Sequence, residues 1–115
     1  MIRPWGDIRR YYADLACRGP WLQSMKELVD QIEASPTLSQ LYAWTSMHDL
    51  HVVQTPVTYP DHGPCLIISP RADGSVDFRY VDTLFASKQW HRVVTGPEAF
   101  SRLQRFADQL HWFAR

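Results

Sequence analysis

The sequence of 115 residues predicts a single α+β domain, 1–115, in which helices at both chain ends pack on one face of an antiparallel sheet of four or five strands. Helical periodicity is confined to the two ends of the chain, whereas the middle alternates β-favouring residues with turn signals. Consecutive strands joined by short turns pair antiparallel, so the expected topology is a meander in the order α-α-β-β-β-β-(β)-α.

The first third of the chain predicts two helices. Residues 7–18 place apolar side chains at the i, i+3, i+4, i+7 spacing of one helical face, with Asp7 as the expected N-cap and Gly19 as the stop. A second helix is expected to begin at Pro20, because the fixed φ of proline suits the first turn, and to end at Ser35-Pro36.

The middle of the chain predicts strands, and its end predicts a third helix. Residues 40–56 favour extended chain with a turn at His48-Asp49, and 56–64 reads as an irregular, proline-rich loop. After a last strand at Gln89–Thr95, the pattern Thr95-x-x-Glu98 predicts a capping box. The apolar face that follows predicts a helix running to the chain end.

Between these segments, Cys65–Asp82 predicts a β-hairpin with its turn at Asp73-Gly74. A two-residue loop would set Phe78 opposite Ser69, whereas a three-residue loop with Gly74 in the left-handed conformation shifts the register by one residue. A one-residue slip exchanges the two faces of a strand, so the apolar pattern decides, and it favours the three-residue loop. That register gathers one apolar face, consisting of Leu66, Ile68, Val76, Phe78 and Tyr80.

The opposite face of the hairpin is mixed rather than polar, and it holds Cys65, Ile67, Ser69, Asp77, Arg79 and Val81. One explanation is a solvated face that tolerates a few apolar residues, as antiparallel sheets commonly have. The other is a face that a partner, a second copy or a ligand covers. In that case Ile67, Asp77, Arg79 and Val81 are the predicted partner-binding residues, with the two charges orienting the contact.

Trp112 is the remaining candidate for partner binding. On a helix that continues to the chain end, its side chain projects opposite the centre of the apolar arc. Large aromatic side chains on polar surfaces are typical interface anchors. The alternative is that the chain bends near its terminus and buries the ring.

The histidines and cysteines do not predict a metal or catalytic site. The array His48-x2-His51-x10-His62-x2-Cys65 resembles zinc-ligand spacing. However, the predicted strands put His51 and His62 near opposite strand ends, about 16 Å apart. Cys17 has no histidine close in sequence, and the one close to Cys65 is His62 of that same array. The sequence therefore predicts no metal, no cofactor and no catalytic residue.

The charge balance and the cysteine content of the chain disfavour some classes of function. Twelve Lys and Arg balance twelve Asp and Glu, so the chain lacks the positive surplus that attracts nucleic acid or anionic membranes. Two cysteines without metal or redox spacing, and an N-terminus without a signal-peptide core, indicate a cytoplasmic protein.

These observations favour a small non-enzymatic protein-interaction domain of adaptor, chaperone or immunity type, which binds a protein partner or itself through the open sheet face. The first alternative is a small-molecule or metal-dependent enzyme with a histidine-lined pocket between sheet and helices. The second is a single-strand nucleic-acid binder that stacks bases on sheet aromatics.

Overall fold

The computed structural model describes residues 2–55, 64–81 and 90–112. Its helices are α1 (Trp5–Arg18), α2 (Gln23–Ala34) and α3 (Ala99–Gln109), and its strands are β1 (Tyr42–Ser46), β2 (Asp49–Val53), β3 (Cys65–Pro70), β4 (Val76–Val81) and β5 (Trp90–Val94). Short 3-10 turns lie at Pro20–Leu22, Leu38–Gln40 and Gly96–Glu98. The predicted α+β fold is therefore confirmed. The expected loop at 56–64 lies outside the described residues except for Pro64.

The five strands form one antiparallel meander in the order β1-β2-β3-β4-β5. In the β3–β4 hairpin, Ile68 pairs with Phe78, as the three-residue loop predicts. Gly74 has φ +86°, and its N–H donates to the carbonyl of Arg71 at 3.0 Å. The left-handed glycine thus closes the turn and fixes the register of the sheet's centre.

The helices pack on the inner face of the sheet, where the predicted apolar residues of β3 and β4 are buried. Beneath α3, Phe106 packs edge-on against Phe78 at 5.2 Å between ring centroids and lies 4.6 Å from Trp90. The ring of Trp90 also stacks on Tyr80. β5 therefore turns Trp90 and Val94 to the core. The sequence pattern alone did not decide which face of this last strand is buried.

Two helix starts differ from the prediction. Helix α1 begins at Trp5 rather than after an Asp7 cap, because the carbonyl of Pro4 accepts the backbone N–H groups of Asp7 and Ile8. Asp7 lies in the first turn, where it pairs with Arg10 and suits the positive end of the helix dipole. Pro20 starts a 3-10 turn, and α2 follows from Gln23.

The predicted capping box is wrong. Thr95 precedes the 3-10 turn at Gly96–Glu98 and makes no side-chain cap hydrogen bond. Helix α3 instead begins at Ala99, where the 3-10 turn passes directly into α-helical backbone.

Helix α3 also ends earlier than predicted, and this determines the position of Trp112. His111 adopts φ +58°, its N–H donates to the Asp108 carbonyl at 3.1 Å, and the N–H of Trp112 donates to the Ala107 carbonyl at 3.0 Å. These two bonds form a Schellman motif, which reverses the chain. Trp112 consequently lies in the core with 7% of its surface exposed. The expectation of an exposed aromatic anchor is wrong, and the alternative of a bent, buried end holds.

The β1–β2 turn is held from α1. Met47 has φ +55°, an uncommon value for a residue other than glycine, and its side chain is 83% exposed. The hydroxyl of Tyr12 donates to the His48 carbonyl at 2.8 Å, and that of Tyr11 donates to the Met47 carbonyl. Trp21 packs edge-on against the His48 ring. The two tyrosines thus anchor a strained turn on the helical layer.

The two edges of the sheet differ. Along β1, the backbone N–H of Arg3 donates to the Ala43 carbonyl at 2.9 Å, and the Arg3 guanidinium donates to the Thr45 hydroxyl at 2.9 Å. Along β5, strand pairing within the described ranges is to β4 alone. The N-terminal segment therefore covers the β1 edge at Ala43, whereas β5 has no second strand partner among the described residues.

Candidate functional site

The outer face of the sheet is the side turned away from the helices. Because successive residues of a strand point to opposite faces, the register defines this face completely. It consists of Tyr42, Trp44, Ser46, Asp49, His51, Val53, Cys65, Ile67, Ser69, Asp77, Arg79, Val81, His91 and Val93. The predicted partner-binding residues Ile67, Asp77, Arg79 and Val81 all lie on it, whereas Trp112 lies in the core.

One row of directly opposed residues crosses all five strands of the outer face. Trp44 pairs with His51, His51 with Ile67, Ile67 with Arg79, and Arg79 with His91. The first three side chains are partly exposed, and the last two are exposed. Ile67, on the central strand, is therefore flanked by an aromatic end on β1–β2 and a cationic end on β4–β5.

Large apolar side chains reach solvent at both ends of this face. Tyr42 on β1 is 40% exposed and Val93 on β5 is 45% exposed, and with Met47 they are the large hydrophobic residues of the described ranges that stand exposed. Trp44 stacks on His51, with 5.1 Å between ring centroids and 14° between planes. Sequence reasoning missed Trp44 and His51, because they join the row of Ile67 only once the β1–β2 and β2–β3 registers are known.

Some charged side chains on the outer face have a charged partner within the chain, and others have none among the described residues. Nε2 of His91 lies 2.7 Å from Oδ1 of Asp77, within ion-pair distance although outside good hydrogen-bond alignment, and that oxygen is buried. This contact is an ion pair only when His91 is protonated. Among the described residues, Arg79 and Asp49 make no ion pair or side-chain hydrogen bond. Arg79 on β4 and Asp49 on β2 thus have no direct charge partner among the described residues, and both act electrostatically on His51 between them.

His51 and Cys65 are brought together, although nothing in their sequence spacing shows it. Nδ1 of His51 lies 3.8 Å from Sγ of Cys65. Burial raises the pKa of the Cys65 thiol to about 11, and burial also lowers the pKa of His51. A nucleophilic cysteine requires the opposite pair of shifts, because the thiolate is the reactive form. This contact is therefore a weak hydrogen bond between two neutral groups.

The predicted metal-like array is dispersed. His48 lies in the β1–β2 turn against Trp21, His51 contacts Cys65, and His62 lies outside the described residues. Within residues 2–55, 64–81 and 90–112, no group of three or more His, Cys, Asp or Glu is arranged to hold a metal ion.

Three shallow surface grooves are present elsewhere in the described structure. The largest, about 720 Å³, lies between the N-terminal segment and the start of β1, where Trp5 and Tyr42 line it. The other two lie beside α3 and beside α2, near Gln104 and near Gln31. None of the three is lined by a histidine. No helix in the described ranges combines the length and apolarity needed to cross a membrane.

Comparison of the chain with protein-family models, with curated proteins and with solved structures found no significant match.

Proposed function

We propose that this chain is a non-enzymatic protein-interaction domain that binds through the outer face of its sheet. The proposal rests on one observation: among the described residues the helical layer packs on the inner face, and the outer face, although Val53 is buried on it, presents exposed or partly exposed aromatic and aliphatic side chains on all five strands. Apolar surface of this kind, rimmed by charged residues, is typical of protein-binding surfaces.

The composition of the face supports a protein partner over a small ligand. Tyr42, Trp44 and Ile67 supply apolar contact area, and Arg79 supplies a charge among them, which is the residue mixture enriched in interfaces. A small-molecule site is concave and encloses its ligand, whereas a sheet face presents a broad and nearly flat surface. Adaptors, chaperones and immunity proteins all fit this description.

The proposal includes a reducing, cytoplasmic environment. Cys17 and Cys65 are free thiols, Cys17 being exposed and Cys65 partly buried. Reduced cysteines are the rule in that compartment.

The enzyme alternative has less support. Its best chemical group is the pair of His51 and Cys65, and the shifts in their pKa values keep both groups neutral near pH 7. A general base or nucleophile at that pH requires a pKa tuned toward neutrality rather than away from it.

Site-specific photocrosslinking in cells tests the proposal. A benzophenone amino acid replaces Ile67 in one variant and Val93 in another, both on the outer face. The matched controls carry it at Gln31 and Gln104, which are exposed positions on the helical layer. We expect discrete protein adducts from the outer-face positions and none from the controls.

Two results contradict the proposal. One is the absence of adducts from the outer-face positions at normal expression of a folded protein. The other is an equal pattern of adducts from the outer-face and helical-layer positions, because crosslinking would then reflect random collision rather than a binding surface.

A further inference from the structure

We infer that the side of β5 turned away from β4 binds an extended acidic segment of a partner protein, which joins the sheet as an additional strand. The inference concerns an edge of the sheet rather than its outer face, so it goes beyond the proposed function. It follows from the directions of the β5 backbone groups and from two arginines beside them.

The β3–β4 hairpin determines which backbone groups of β4 point to β5. The N–H of Arg71 donates to the Ser75 carbonyl at 3.0 Å, and hydrogen-bonded pairs alternate with non-bonded pairs along an antiparallel ladder. The next pair, Pro70 with Val76, is of the second kind, since proline has no N–H to donate. Val76 therefore directs its N–H and carbonyl away from β3, to Val94 of β5.

Two residues of β5 direct their backbone groups away from β4. Continued along β5 from Val94, the alternation turns the N–H and carbonyl groups of His91 and Val93 to the edge of the sheet. A separate contact agrees, because a side-chain atom, Nη1 of Arg92, donates to the His91 carbonyl at 2.8 Å. The backbone of β5 thus offers the donors and acceptors that strand addition uses.

The exposure of β5 shows that this edge is accessible. His91, Arg92 and Val93 are consecutive and all exposed, although their side chains alternate between the two faces of the sheet. A cover on either face would bury every second residue. At the other edge, by contrast, the Arg3 bridge covers β1 at Ala43.

Two arginines lie beside the β5 edge on the side of the helices. Arg92 pairs with the inward-facing Phe78 and so points to that side, yet it stays exposed. On α3, Gln104 lines a groove together with residues 37–38, which follow α2. Arg102 projects about 160° from Gln104 around the helix axis, and this turns it away from α2 and toward the β5 edge.

These arginines lie at about the same level along the strand. The Phe106 ring lies 4.6 Å from that of Trp90, and α3 runs back over β5 because it follows that strand in the chain. Arg102 precedes Phe106 by one turn, about 6 Å. In the same direction, Arg92 follows Trp90 by two residues, about 7 Å. Acidic residues at alternate positions of an added strand share one face, so their carboxylates can reach both arginines.

The charges near this edge favour an acidic occupant. Among the described residues, Arg92 and Arg102 make no ion pair, and Glu98, one turn before Arg102, lies beyond ion-pair distance of it. Asp77, on the outer face, already lies 2.7 Å from His91. A second copy is disfavoured here, because antiparallel pairing through the same backbone groups would set Arg92 opposite Arg92.

A peptide of reversible charge tests the inference. The probe is a fluorescein-labelled peptide of about eight residues in which glutamate alternates with valine, and its control carries lysine in place of glutamate. Fluorescence anisotropy at about 50 mM salt should give a dissociation constant of about 100 µM or lower for the acidic peptide, and binding at least tenfold weaker for the basic one. The absence of acidic-peptide binding up to about 1 mM, or equal binding of the two peptides, overturns the inference.

Two charge variants separate this edge from general attraction. Arg92→Glu should weaken binding of the acidic peptide about tenfold or more, because it sets a like charge against the glutamates. Arg18→Glu is the matched control, since Arg18 is exposed on α1, the helix that anchors the β1–β2 turn. It changes the net charge equally and should leave binding within about twofold. Equal losses in the two variants would show unspecific attraction and contradict the inference.

Two modified peptides test strand addition without altering the protein. In an added strand, only alternate residues direct their N–H groups to β5. Methylation of every backbone nitrogen of one alternate set, the valines or the glutamates, should therefore abolish binding, whereas methylation of the other set should leave it within about threefold. Equal effects of the two methylated peptides would refute strand addition.

On the protein, Val93→Pro removes a donor that points to the edge and leaves the hydrogen bonds to β4 in place. Binding of the acidic peptide should weaken about tenfold in a variant that thermal unfolding shows to be folded, and undiminished binding overturns the inference. If this variant does not fold, the methylated peptides decide. Loss of peptide binding with crosslinks retained at Ile67 would leave the proposed function intact.

Discussion

Two adjacent isoleucines on β3 offer the sharpest test of whether the outer face is open within one copy. Ile68 faces the core and is fully buried, whereas Ile67 faces outward and is partly exposed. Replacing either by alanine removes three carbon groups from the same strand, so β propensity and backbone pairing change equally in the two variants. The difference in their free energies of unfolding therefore reports the difference in burial.

The expected magnitudes follow from that burial. Three carbon groups at about 0.8 kcal/mol each give about 2.4 kcal/mol for Ile68→Ala, and the unfilled cavity raises the loss to about 3 to 4 kcal/mol. Ile67→Ala should cost about 1 kcal/mol or less, because part of the side chain already contacts water.

Urea unfolding followed by tryptophan fluorescence, at a concentration of about 1 µM so that association through the outer face does not contribute, measures both losses. Equal losses would mean that Ile67 is as buried as Ile68 within a single copy. That result would refute the open outer face and the function proposed for it.

Two further predictions concern the β1–β2 turn and the partly buried thiol. Met47→Gly should stabilise the protein by about 0.5 to 1 kcal/mol, because glycine adopts positive φ without strain and the exposed methionine side chain loses no packing. Met47→Ala keeps the strain and should give no gain in thermal unfolding. Alkylation by iodoacetamide, followed by mass spectrometry, should modify exposed Cys17 readily. Modification of Cys65 should be slow and rise about tenfold per pH unit between about pH 7 and 10, because its pKa of about 11 leaves little thiolate. A plateau for Cys65 near pH 8 would contradict the effect of burial on its pKa.

The fold was largely predictable because the turn residues and the apolar pattern of the strands indicate the same strand pairing. Asp73-Gly74 specifies a turn that only one register reconciles with the apolar pattern, and Ile68 pairs with Phe78 as that register requires. The end of α3 was not predictable in the same way. His111 adopts the left-handed conformation that glycine most often adopts at the end of a helix. Because no glycine stands there, the sequence does not predict the chain reversal that buries Trp112.

The candidate site was predictable only in part. Ile67 and Arg79 lie on the hairpin whose register the turn determines, so their shared face followed from sequence. Trp44 and His51 lie on strands separated from that hairpin by 56–64, and the length of a loop does not fix the register of the strands it joins. The contact of His51 with Cys65 depends on the register of β2 against β3, so the sequence did not predict it.

The single bridge made by Arg3 limits how copies of this protein can add to one another edge to edge. A sheet with two free edges can lengthen indefinitely, since each added copy offers a new edge to the next, as in a fibril. Here the N-terminal segment occupies the backbone of β1 at Ala43, so within the described structure only β5 accepts another strand. If two copies paired through their β5 strands, the combined sheet would have a β1 strand at each outer edge, and each β1 strand would already be bridged by Arg3. Growth by strand addition would then stop at a pair, and the exposed edge would not seed a polymer.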